Sequence, residues 1–127
     1  IRRELELLVC RTLAERSFVE SDLVALRQLS ENCIDQLEKG NRYEALEYDS
    51  LFHLELAKLS GNLHLHELME LFDAKIQLLR LQQKESNEGL MPYLMHHREV
   101  IAALLEGRPG DLLPIMEKHL RHHEHTI

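Results

Sequence analysis

Tyr48-Asp49-Ser50-Leu51-Phe52-His53-Leu54-Glu55-Leu56-Ala57-Lys58-Leu59-Ser60-Gly61-Asn62 reads as a helix with its terminator attached. Leu46, Asp49, Ser50, His53, Leu56 and Ala57 recur at the i, i+3, i+4, i+7 spacing of one helical face. Ser60-Gly61-Asn62 then supplies a C-terminal glycine followed by a new cap. Apart from the small hydroxyl of Ser50, the face is apolar except for a carboxylate and an imidazole one turn apart. Burying either without a partner costs roughly 1–3 kcal/mol by mutational data, so Asp49 and His53 need a shared explanation.

Outward from this segment the helical period continues to both ends, and nothing reads as a strand. A first helix is expected from Ile1 to about Arg16, and a second from the Ser17 to Ser21 turn to about Lys39. Gly40-Asn41 ends it and caps a third helix from about Tyr43 to Leu59. A fourth reaches about Lys84, Glu85 to Gly89 reads as a polar loop, and a fifth runs from about Leu90 to Glu106. Pro109 lies where the first turn of a last helix tolerates proline. Short connections make sequential helices antiparallel neighbours. The expected fold is an all-α antiparallel bundle of about six helices, a single domain over 1–127.

A chain of 127 residues buries one sizeable core. Its 15 Lys and Arg against 22 Asp and Glu leave a net charge of −7, which disfavours direct binding of nucleic acid by this segment. No apolar run approaches the ~18 residues of a membrane span, and Ile1-Arg2-Arg3-Glu4-Leu5-Glu6 does not open a signal peptide. A cytoplasmic location with no membrane partner is expected. Cys10 and Cys33 read as buried thiols rather than a disulfide. The chain opens without Met and already helical, as an internal part of a longer polypeptide would.

Two further stripes repeat the pattern of the central one. Leu90, Leu94, His97, Ile101 and Leu104 form one; Leu112, Ile115, Met116, His119 and Leu120 form the other. Three helices thus aim Asp49, His53, His97 and His119 at the core. A divalent metal would satisfy all four at once, and imidazole with one carboxylate suits Zn, Ni, Mn or Fe. Core histidines bonded to carbonyls, with Asp49 and His53 as a hydrogen-bonded pair, are the metal-free alternative. His64 and His66 point to different faces, His96 lies about 100° around the helix from His97, and the tail from His122 to His125 reads as a solvated helix end. Neither HExxH nor the ExxH of di-iron bundles is present.

The segment Tyr48–Asn62 resembles the "D-x-x-F-H…L…S-G-N" signature of the FCD domain, the C-terminal effector domain of the FadR subfamily of GntR transcription regulators. Arg2-Arg3-Glu4-Leu5-Glu6 with Leu13-Ala14-Glu15-Arg16 is similar to that family's first helix. His97-Arg98-Glu99-Val100-Ile101-Ala102-Ala103-Leu104 resembles its "H-x-x-I…A-I" segment, and Met116-Glu117-Lys118-His119-Leu120 its closing "M-x-x-H-L". Arg108-Pro109-Gly110-Asp111 departs from it by carrying extra residues, and Pro114 falls one turn into the last helix.

The resemblance implies a helical bundle that forms a homodimer and binds a small organic acid effector. Its metal-binding members use one Asp and three His, matching Asp49, His53, His97 and His119. It also implies an N-terminal winged helix-turn-helix, absent from this chain, through which DNA is bound, and no enzymatic activity. Arg2, which matches the family's first-helix Arg, and Arg80 are the candidate effector-binding cations. A divalent cation with one Asp ligand keeps a net positive charge, so an anionic effector fits. A metal-dependent enzyme is the rival reading. Its general base would have to come from Glu47, Glu55 or Glu99, none of which shares a stripe with the ligands. A metal-free structural dimerisation bundle is the other alternative.

Overall fold

The computed structural model describes residues 2–81, 87–106 and 112–118. Among them every regular element is helical, as expected. Helix α1 covers Arg2–Ala14, a short 3-10 turn Glu20–Leu23, α2 Val24–Glu38, α3 Arg42–Leu59, α4 Leu63–Leu81 and α5 Asn87–Leu105. Residues 112–118 are again helical and include Pro114. The segment from Arg108 to Asp111 lies outside the described residues.

Turn chemistry places the helices. Gly40 and Gly61 adopt φ of 82° and 78°, the left-handed conformation that closes a helix. After α3, Asn62 Oδ1 accepts from the backbone N–H of His64 (3.1 Å) and Leu65 (3.2 Å), so Asn62 caps α4 as expected. Asn41 is the N-cap residue of α3, but its side chain makes no capping bond: the amide turns back and donates to Gln36 Oε1 at 2.8 Å, fastening the turn to α2 instead. Helix α5 starts at Asn87 rather than near Leu90, with Pro92 inside it. Glu88 and Gly89 are solvent-exposed and Leu90 is the first buried residue, so a polar first turn had the composition of a loop.

Helix α3 is central, packed against α2 on one side and α4 and α1 on others, while α5 packs on α2. Leu46, Asp49, Ser50, His53, Leu56 and Ala57 are all buried, as are Leu90, Leu94, His97, Ile101 and Leu104. Two of the three expected stripes therefore face the interior, and on the third Leu112 and Met116 are buried while His119 and Leu120 lie outside the described residues. One apolar cluster joins Leu13, Leu23, Leu26, Phe52, Leu56, Ile101, Leu112 and Met116; a second joins Cys33, Leu37, Leu46, Leu90 and Leu94. Cys10 and Cys33 are free, buried thiols. Burial first, then the nearby charge of Glu6, pushes the Cys10 thiol up from its ordinary pKa.

Candidate metal centre

The two polar stripes meet between α3 and α5. His97 Nε2 lies 2.6 Å from Asp49 Oδ1, and His53 Nε2 lies 3.4 Å from the same oxygen. One ligand atom from each of Asp49, His53 and His97 falls within 4.8 Å of the others, and all three residues are buried. Spacing of i, i+4 on α3 brings Asp49 and His53 together; only the docking of α5 adds His97.

Ring packing holds the geometry. Phe52 stacks on His97 with centroids 4.1 Å apart and planes 18° from parallel, and meets His53 edge-on at 5.8 Å. Phe52 is itself fully buried, so neither ring can swing without disturbing the core.

A tetrahedral ion with ligands at about 2.1 Å sets its ligand atoms roughly 3.4 Å apart. The 3.4 Å spacing of His53 and Asp49 already fits, and the 2.6 Å spacing to His97 needs to open by less than an ångström. Two imidazole nitrogens and a carboxylate oxygen are the donor set of borderline divalent metals. The residues present fit such an ion.

His119 lies outside the described residues, as do the side chains of Arg2 and Arg80. His64 is exposed and pairs loosely with Glu67, while His66 pairs with Glu70 at 3.1 Å; neither approaches the centre. Glu47 and Glu99 are exposed and Glu55 is half-buried.

Sequence reasoning passed over Glu6. It is 3% exposed on α1, and its Oε2 lies 2.9 Å from His53 Nδ1. The signal was present: Glu6, Val9, Cys10 and Leu13 follow the same i, i+3, i+4, i+7 rule, and all four are buried. The charge argument changes with it, because two buried carboxylates offset a divalent cation completely. Attraction of an anion then has to come from cations beyond the centre. A cavity of about 10 Å³, room for roughly one water, lies beside His53. Leu5, Ser50, Leu54, Met69, Phe72 and Asp73 complete its lining, which places it between α1, α3 and α4.

Among the described residues no helix is long and apolar enough to cross a membrane. A family model of the FCD domain matches residues 1–122. No curated protein and no solved structure matches the chain.

Proposed function

The chain belongs to the FCD domain family, the effector-binding domain of GntR-family transcription regulators, and from that membership we propose that it senses a small organic acid at a metal centre built on Asp49, His53 and His97. His119 is the fourth ligand in this reading. The observation that carries it is that Asp49, His53 and His97, buried on two helices, bring one ligand atom each within 4.8 Å of the others. When bound, the metal supplies a Lewis-acidic position that an effector carboxylate can complete.

The protein's own residues do the rest. Phe52 holds the His97 ring in plane, and Asp49 sits between both imidazoles. Arg2 on α1 and Arg80 on α4 are the proposed anchors for the effector's remaining charge. The space beside His53 has room for about one water, so an organic acid entering there has to part α1 and α4 from α3. That displacement is what couples the ligand to the rest of a homodimer. An effector that prefers the parted arrangement shifts the population toward it, and the spacing of two winged helix-turn-helix heads outside these residues follows. An enzymatic role is not proposed: Glu6, the one buried carboxylate besides Asp49 among the described residues, engages Nδ1 of His53, on the side of the ring away from Asp49.

Thermal melting tests this. Zn²⁺ should raise Tm and a chelator should reverse it, because binding to the native state alone stabilises by mass action. Small mono- or dicarboxylates should raise Tm further in the loaded protein while matched amides do not, and H97A should abolish both effects. A response to carboxylates that is equal with and without metal would place the effector elsewhere.

A further inference from the structure

Glu6 is a buried charge that none of the roles above requires. A leucine at its place on the Val9, Cys10, Leu13 stripe would pack without any desolvation cost, yet the carboxylate is 97% removed from solvent and set 2.9 Å from His53 Nδ1. The other nitrogen of that ring, Nε2, faces Asp49 Oδ1 at 3.4 Å. A neutral imidazole donates from one nitrogen and presents a lone pair at the other, and the partner at the first decides which is which.

We propose, resting on the reading of Asp49, His53 and His97 as metal ligands, that Glu6 is a positioning residue of that centre. Its carboxylate holds the proton on Nδ1, turns the Nε2 lone pair toward Asp49 and His97, and raises the basicity of that nitrogen. Carboxylates hydrogen-bonded to ligating histidines act in this way in metal sites generally. The placement adds a third helix to the centre. Asp49 and His53 belong to α3 and His97 to α5, and Glu6 on α1 ties loading of the metal to the seating of α1 against α3.

Competition between the chain and a chromogenic chelator for Zn²⁺ measures the effect. Glu6→Gln keeps the size and an accepting oxygen but removes the charge, and should weaken Zn²⁺ binding by roughly 10- to 100-fold. Nitrogen-detected NMR of the zinc-loaded native chain should show His53 bound through Nε2 and protonated at Nδ1, with exchange of that proton slowed. A purely structural Glu6 would change the Tm of the metal-free chain and leave Zn²⁺ affinity and the His53 signature unmoved. Native affinity in folded Glu6→Gln overturns the proposal while sparing the metal reading. Coordination of His53 through Nδ1 overturns it as well, even if the variant does not fold. A native chain that takes up no Zn²⁺ brings down the metal reading and the proposal together.

Discussion

At His53 two opposing effects meet. Burial removes the water that would solvate an imidazolium and pushes its pKa down, but the charges of Glu6 and Asp49, and their hydrogen bonds, prevail and hold it up at about 9 against an ordinary 6.5. The folded metal-free chain therefore binds more protons than the unfolded one between those two values. Its stabilisation from this group is complete below about pH 6.5 and is lost as pH rises through about 9. In the presence of a chelator, Tm should fall across that interval. Zn²⁺ affinity should rise over the same interval, by up to about tenfold per pH unit, because the metal displaces the proton from Nε2. A Tm that is flat from pH 6.5 to 9 in metal-free protein would mean that His53 is neutral at its site.

Among the elements, the α3–α4 turn is the more constrained of the two glycine turns. Arg16, just beyond α1, donates from Nη1 to the Leu59 carbonyl at 2.8 Å, and a Cβ on Gly61 would stand 2.8 Å from that same nitrogen. Gly40 has the same positive φ but open space around it. Gly40→Ala should cost about 1 kcal/mol from backbone strain alone, and Gly61→Ala about 2 kcal/mol, in urea unfolding. Because the excess arises from Arg16, adding Arg16→Ala to Gly61→Ala should cost less than the two single changes combined. Additive costs would mean that the guanidinium simply swings aside.

Helix existence and inward faces were legible from periodicity, since apolar spacing is what burial requires; the start of α5 was not. Its first turn, with Glu88 and Gly89, faces water, and a turn with nothing to bury looks like a loop. Asn41 shows the same limit. A capping residue can be recognised by type, but whether its amide chooses α3 or Gln36 depends on packing. Asp49, His53 and His97 could be selected because each interrupts an apolar stripe. Glu6 interrupts one too, but on a helix where acidic residues abound, and only the docking of α1 on α3 separates it from Glu4.

For the molecule as a whole, the outer surface of α4 carries three exposed leucines among its polar residues: Leu63 is 66% exposed, Leu71 72% and Leu68 41%. A groove of about 500 Å³ between Leu29, Leu51, Leu54 and Leu63 continues this surface toward α2 and α3. In the proposed homodimer this is the face expected to be covered by the twofold mate. Sedimentation should find a dimer at tens of micromolar, and Leu63→Glu with Leu71→Glu should yield a folded monomer. A double variant that remains dimeric would move the interface to another face.

Asp49 and His97 stand 48 residues apart in sequence. Joining two points so distant in an unfolded chain costs on the order of 3 kcal/mol of chain entropy, and this cost is met when α3 and α5 dock, before any ion can find its ligands together. A metal at this centre therefore has little to offer the folding transition and much to oppose in its reversal. Bound after closure, it would act as a latch, lengthening the lifetime of the folded chain while leaving the speed of folding nearly unchanged.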